Sequence, residues 1–328
     1  MTVEAGRGLA ALAVVLFHAG GSIFPAPKYW HSDLFAQVFG WGYAGVFFFF
    51  ALSGFIIAQV HVRDVGQRTR LRHYVGRRLA RIYPVYWLVL AGLVALGAAG
   101  IGAVPTAGVL ASSVLLAGPD NHATVVAVAW TLYHEIAFYA VFAAWIVSVR
   151  LGQIVTLAWL ALIAATALFG ASAVPAYLAA PVNLVFGLGV AAWRASRSPL
   201  PTWLAVAGAA GFAAVAVDTV TTRLLPEVGR ELAFGATAAL TIAAMVARER
   251  RRALAVPRLL LALGAASYSI YLTHFPILSM LAKVAVAARL VDRIPPVLGF
   301  VATVALTVAL GYAFHRLVER PLLARLTR

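Results

Sequence analysis

The sequence contains no cysteine, which excludes disulfides, zinc–thiolate centres and acyl-cysteine intermediates. Acid is scarce: 11 Asp and Glu stand against 26 Lys and Arg in 328 residues, a formal net charge of +15. Lysine is nearly missing too, Lys28 and Lys283 being the two present, so arginine supplies almost all of the positive charge. A P-loop, a G-x-S-x-G elbow and an H-E-x-x-H are also missing. Those absences argue against nucleotide hydrolysis, α/β-hydrolase chemistry and zinc hydrolysis, and no metal site is expected.

Hydrocarbon is what the chain has in abundance. Hydrophobic residues make up 63% and charged ones only 11%, with a mean hydropathy of +0.91; a soluble domain is nearer half apolar and a quarter charged. This is an integral membrane protein, so its basic balance is read as topology signals and attraction to anionic headgroups rather than as nucleic-acid binding. Apolar runs fall near 8–24, 42–60, 80–99, 127–149, 151–170, 177–193, 202–220, 232–247, 260–283 and 297–317. The first resembles a signal peptide, but "FHAGGS" is a poor cleavage site and the run reads as a retained span.

The expected fold is all-α: one domain over 1–328, a polytopic bundle of about ten membrane helices. A shorter run, 104–118, carries Pro105, Gly108, Ser112 and Ser113. Charge decides its course. Basic residues crowd 61–81 and 248–258, with more in the tail at Arg316, Arg320, Arg325 and Arg328. If 104–118 is re-entrant or interfacial, these clusters and both termini share the cytoplasmic side. Only Lys28, Arg223, Arg230, Lys283, Arg289 and Arg293 then lie on or near the other.

Inside that apolar frame, "WTLYHEIAFY" places Glu135 mid-span, where a charge costs roughly 2.5–3.5 kcal/mol. Such an acid marks either a functional site or an ion pair that fixes helix packing. Arg7 and His18 lie eleven residues apart in the first span, on nearly one face and roughly 16 Å apart along the axis. Counting from span ends puts His18 roughly 9 Å and Glu135 roughly 12 Å below the outer surface, so the two are expected to meet. A carboxylate on one imidazole nitrogen raises the basicity of the other, as a general base requires. His134 points about 100° away from Glu135 and is either a second polar wall or a satisfied core group. His274 lies among Ser267, Tyr268, Ser269, Tyr271 and Thr273, with Pro276 expected to break its helix. In "RRLARIYPVYW", Arg77, Arg78 and Arg81 cluster at the mouth of the third span. Arg77 and Arg81 share a face at i, i+4 and repel unless an anion lies between them. Plain cytoplasmic anchoring explains the cluster equally well. Tyr83, Tyr86 and Trp87 read as interfacial aromatics, one of which could stack on a base.

These motifs, in this order, resemble acyltransferase family 3, the bacterial membrane acyltransferases that decorate cell-surface glycans. "GRGLAALAVVLFHAG" resembles the family's first-span Arg-x10-His motif on Arg7 and His18, and "GVFFFFALSGFIIA" its second span. "RRLARIYPVYW" is similar to its Arg-Arg-x-x-Arg motif on Arg77, Arg78 and Arg81. "AWTLYHEIAFYAVF" resembles its fifth motif on Trp130, Glu135, Phe138 and Tyr139, and "LGAASYSIYLTHFPIL" and "FHRLVERPLL" match its last spans. The pattern departs at Ile136, where many relatives carry a second acid, and many relatives also fuse a soluble esterase-like domain, which the chain up to Arg328 does not show. It is closer to the exopolysaccharide-modifying members.

The resemblance implies acyl transfer, most often of acetyl, from cytoplasmic acyl-CoA to a sugar hydroxyl of an envelope or exported glycan. It places the chain in the bacterial inner membrane. Acyl-CoA is implied as co-substrate, with no bound cofactor and no nucleic-acid partner. A glycan or lipid-linked sugar would accept, and a separate periplasmic or polysaccharide-biosynthesis partner fits the same picture. Arg77, Arg78 and Arg81 would hold the CoA phosphates, with Arg7 near the entrance. His18, oriented by Glu135, would act on the acceptor hydroxyl, directly or through an acyl-histidine. Trp130, Tyr271 and Ser53 are candidate oxyanion donors, and His134 and His274 candidate pocket lining. Two rivals are a proton-coupled glycan or solute transporter, which would use the same intramembrane His and Glu, and a haem protein ligated by His18 and His134.

Overall fold

Backbone that enters hydrocarbon must satisfy its own hydrogen bonds, which drives each apolar run into helix. The computed structural model describes residues 1–170 and 174–326, and every regular element among them is helical. Helix α1, Thr2–His18, continues as a π-helical turn over Ala19–Ile23. A short α2, Leu34–Phe39, leads to α3, Gly45–His61, then α4, Leu71–Ala98, and α5, Ala107–Leu115. Next come α6, Trp130–Val147, and α7, Val149–Phe169. Beyond them lie α8, Ala176–Ala179, α9, Leu184–Ala195, α10, Trp203–Val220, and α11, Glu227–Arg251. The chain finishes with α12, Arg258–Ala265, α13, Ser267–Ala287, α14, Pro296–Phe314, and α15, Arg320–Leu326. Arg328, the last tail arginine, lies outside the described residues.

Among the described residues nine helical segments are long and apolar enough to cross a membrane. The chain is a polytopic helical bundle. Of the ten expected runs, 177–193 is the one that yields no helix long and apolar enough to cross a membrane. Pro181, which has no N–H and clashes with the preceding turn, splits it into α8, a 3₁₀ turn at Pro181–Asn183 and the 12-residue α9. A second correction concerns the break expected at Pro276. Helix α13 runs through that proline, and the interruption falls at Ala266 between α12 and α13. There Gly264 lets the Glu4 carbonyl come so near that a Cβ would meet it at 1.9 Å.

Helices in lipid gain little from burying apolar surface against one another, so close approach of small residues holds them together. The tightest crossing joins α3 to α9. A Cβ on Gly54 would lie 2.0 Å from the Phe186 carbonyl oxygen, and one on Gly189 would lie 1.9 Å from that of Ala51. Gly189→Ala must push the two helices apart, at a cost of about 1–3 kcal/mol typical of overpacking. Thermal unfolding in detergent is expected to show a clearly lower midpoint for that variant. Gly187→Ala, on the same helix but with open space around it, is expected to leave the midpoint unchanged. Equal shifts would discard the close-approach account.

Helix α5 is nine residues long, roughly 14 Å against a hydrocarbon core of roughly 30 Å. Its last carbonyls lack i+4 donors within the helix, though Ser112 O and Ser113 O accept from the N–H groups of Ala117 and Leu116 just beyond it. Each of the last four is also met by an aromatic side chain. Tyr133 donates to Ser112 O at 2.9 Å and Tyr86 to Ser113 O at 2.7 Å. Trp87 Nε1 donates to Val114 O at 2.9 Å and Tyr83 to Leu115 O at 2.7 Å. Tyr83, Tyr86 and Trp87, expected as interfacial aromatics, cap α5 from α4. The same tie draws the segment ahead of α6 inward: Val126, Val128 and Ala129 are buried, and Val128 O accepts from Tyr271 on α13 at 3.0 Å.

Candidate active site

Five helices converge on one internal cavity. Arg7 enters from α1, Ser53 from α3, Arg78 and Arg81 from α4, Glu135 and Tyr139 from α6, and Ser267, Tyr268 and Tyr271 from α13. Glu135 accepts from Ser53 Oγ at 2.9 Å and from Tyr139 OH at 2.5 Å. Arg7 Nε donates to Ser267 Oγ at 3.0 Å. Arg78 is buried, donates through Nη2 to His61 Nε2 at 3.2 Å, and lies over the Tyr139 ring at 5.9 Å. Its Nε is buried and has no hydrogen-bond partner. Among the described residues, the ion pairs with Asp or Glu are made by the N-terminus, His61, Arg230 and His315, and none by Arg7, Arg78 or Arg81. Three guanidinium groups and one carboxylate therefore line the same space, and the positive charge is not balanced by carboxylates at contact.

Arg77, grouped with these arginines in the sequence, is exposed and does not line the cavity. Positions 78, 81 and 82 line the cavity from α4, Arg81 while remaining exposed; Arg77 shares a face with Arg81 but lies one turn nearer the start of the helix.

His18 stands beyond the far end of this cavity. Its Nδ1 lies 3.0 Å from Val14 O and 3.1 Å from Nε2 of His274, whose own Nδ1 is 2.6 Å from Tyr271 O. A carbonyl only accepts, so both neutral imidazoles carry their proton on Nδ1. The His18 proton is thus shared between Val14 O and His274 Nε2, and His18 Nε2 keeps a bare lone pair. That is the form a general base needs.

The expected contact between His18 and Glu135 is not formed. Along α13, Ser267 meets Arg7, Tyr271 OH meets Thr131 Oγ1 at 2.9 Å, and His274 meets His18. Thr131, not Glu135, is therefore the α6 residue nearest the histidine pair, and Glu135 lies one turn further on, with the arginines. The separation is roughly 10 Å along the bundle. The depth estimate counted from the start of the apolar run, and that start is buried and tied to α13 through Val128 O and Tyr271.

Other expected residues have different partners. His134 is buried between Asn183 Oδ1 at 2.8 Å and Asn121 Nδ2 at 3.4 Å, which satisfies both ring nitrogens and makes it a packing group. Trp130 stacks on His122 and meets His134 edge-on, away from the cavity. His18 and His134 each have other partners, so the facing pair a haem would need is not present. Tyr271 and Ser53 do line the cavity, with hydroxyls committed to Val128 O and Glu135 respectively. The sequence reading missed Asn121, Asn183 and the buried acid Glu319. The last accepts from Ser269 and lies 2.8 Å from His315 Nδ1 one turn back; the i, i+4 spacing of His315 and Glu319 was its only local signal.

Comparison with known proteins bears on the chemistry. A family model described as an acyltransferase domain matches residues 2–316. The exopolysaccharide production protein ExoZ of Rhizobium meliloti (strain 1021) is 32% identical over 303 residues, covering 87% of this chain and 90% of that protein. No solved structure matches the chain significantly.

Proposed function

The chain belongs to acyltransferase family 3, and on that premise we propose that it moves an acyl group, in the simplest case acetyl, from cytoplasmic acyl-CoA to a hydroxyl of an exported polysaccharide. The observation that carries the donor half is the cavity lined by Arg7, Arg78 and Arg81 without a carboxylate ion-pair partner. Arg78 is buried, Arg7 half-buried and Arg81 exposed; guanidinium groups gathered without a carboxylate at contact call for an anion, and their forked donors match phosphate oxygens. The polysaccharide half rests on likeness to a protein named for exopolysaccharide production. In this reading the protein is a multi-pass protein of the bacterial plasma membrane, both termini are cytoplasmic, 104–118 does not cross, and the arginines face the donor's side.

The nucleotide phosphates bind at the arginines and the pantetheine arm extends past Thr131 and Tyr271 toward His18. His18 Nε2 takes the proton of the acceptor hydroxyl as its oxygen attacks the thioester carbonyl carbon. The tetrahedral intermediate collapses with loss of CoA thiolate, which the His18 imidazolium protonates. An ester and free CoA result. Val14 O and His274 hold the His18 ring throughout, the part first assigned to Glu135. Glu135 instead fixes Ser53 and Tyr139 beside the arginines and offsets part of their charge. Packing by Phe17 and Phe275 around His18 limits hydrolysis by keeping water away.

Purified protein in lipid nanodiscs, given radiolabelled acetyl-CoA and a membrane glycan fraction, is expected to move label into the glycan. Mass spectrometry of envelope polysaccharide from cells with and without the protein is expected to differ by acetyl groups. Failure to bind or consume acetyl-CoA, accompanied by glycan or proton flux, would replace this reading with transport.

A further inference from the structure

His61 and Asp64, to which the reaction above gives no part, form a chain with Arg78. His61 closes α3 and is 1% exposed, and Asp64 follows in a 3₁₀ turn. Asp64 Oδ2 lies 2.8 Å from His61 Nδ1, and Arg78 Nη2 lies 3.2 Å from His61 Nε2. The proton positions follow from chemistry alone. An arginine has only donors, so Nε2 of His61 must hold the lone pair, Nδ1 must carry the hydrogen, and Asp64 must accept it. Tyr74 meets the His61 ring edge-on at 4.9 Å and anchors itself to Tyr139 O at 3.1 Å. The Arg78 guanidinium lies over the ring of that same Tyr139 at 5.9 Å.

The arrangement holds the guanidinium from its edge and its face without a carboxylate at contact. A direct Asp–Arg pair would also have fixed it, but would have consumed its charge and two of its donors. With a neutral imidazole between, the aspartate orients and the arginine keeps its positive charge. One Nη2 hydrogen is spent, while the buried Nε–H on this cavity-lining residue stays without a partner. A buried donor kept free beside an uncompensated charge is arranged for an incoming anion.

We propose that His61 and Asp64 are positioning residues that hold the Arg78 guanidinium for a phosphate group of the acyl donor's nucleotide. This rests on the acyl-CoA reading above and adds to it the residues that set the donor's phosphate affinity. A purely structural role, pinning the end of α3 to α4, predicts something different.

The test is displacement of radiolabelled acetyl-CoA from purified full-length protein by unlabelled CoA and, separately, by pantetheine, which has the arm but no phosphate. In the wild type CoA competes better than pantetheine. In His61→Phe that advantage is expected to shrink about tenfold, the scale of one hydrogen bond to a charged group. Displacement by pantetheine, referred to the label's own affinity, is expected to stay the same. His61→Gln, whose amide oxygen can accept from Arg78, is expected to restore the advantage to within about threefold. Asp64→Leu is expected to follow His61→Phe. An unchanged advantage overturns the proposal, with or without a lower unfolding temperature, and so does equal weakening of both competitors. Wild-type protein that binds no acetyl-CoA overturns the donor reading itself, and this inference with it.

Discussion

His18→Ala is expected to lower acetyl transfer about a hundred- to ten-thousandfold, the usual contribution of a general base, while acetyl-CoA binding changes little. The reasoning is geometric. His18 Nε2 is the bare nitrogen of a pair whose other hydrogen bonds go to Val14 O, His274 and Tyr271 O. His274→Ala removes one of the two acceptors that hold the His18 proton, and a loss of about tenfold is expected for a ring left with one hydrogen bond fewer. Glu135→Gln separates this account from the one suggested by the sequence. If Glu135 oriented His18, the amide would cost turnover as much as His274→Ala does and leave donor affinity alone. With Glu135 among the arginines, the main effect is expected on donor affinity. Single-turnover transfer and equilibrium binding, measured side by side, decide between them. A His18→Ala protein retaining more than about a tenth of wild-type transfer would lie outside the general-base range and remove that residue from the reaction.

The second large effect concerns the arginines. Arg78→Gln combined with Arg81→Gln is expected to weaken acetyl-CoA binding about a hundredfold or more, since a hydrogen bond to a charged group contributes about 1.5–3 kcal/mol. Arg77→Gln is expected to weaken it no more than about threefold, as befits a surface charge outside the cavity. The contrast matters because the three belong to one sequence motif, while Arg78 and Arg81 line the cavity and Arg77 does not. Titration of labelled acetyl-CoA against each variant measures it. Equal losses for Arg77 and Arg78 would mean that the anion lies outside the cavity, at the membrane surface.

How much could be read beforehand follows a physical line. Helical period and spacing singled out Arg7, Arg78, Arg81 and Glu135, all of which line one cavity, because which face a residue occupies is a local property. Depth is not, and the acid was set with His18 and not with the arginines. His18 and Glu135 were matched by counting from span ends, and the count failed where one such end is buried. Tyr83, Tyr86 and Trp87 were read as interfacial aromatics because nothing local shows that the carbonyls of 113–115 lie against them. The break at Ala266 instead of Pro276 lies beside Gly264, which Glu4, distant in sequence, nearly touches. His134 and Glu319 exchanged expected prominence for the same reason. The amides that satisfy His134 come from elsewhere in the chain, and Ser269, which helps bury Glu319, lies 50 residues away.

The clamp on α5 works like a vernier. Four consecutive main-chain oxygens meet four side-chain donors. Sliding α5 by a single step would not trade one good bond for another but misalign the whole set together. The penalty for such a slip is several bonds at once, and it is largest wherever water is kept from the freed groups. The polypeptide between α4 and α6 therefore behaves as a graduated stop with one allowed setting. Through it, the height at which Thr131 faces the histidine pair is tied to aromatic rings that touch neither.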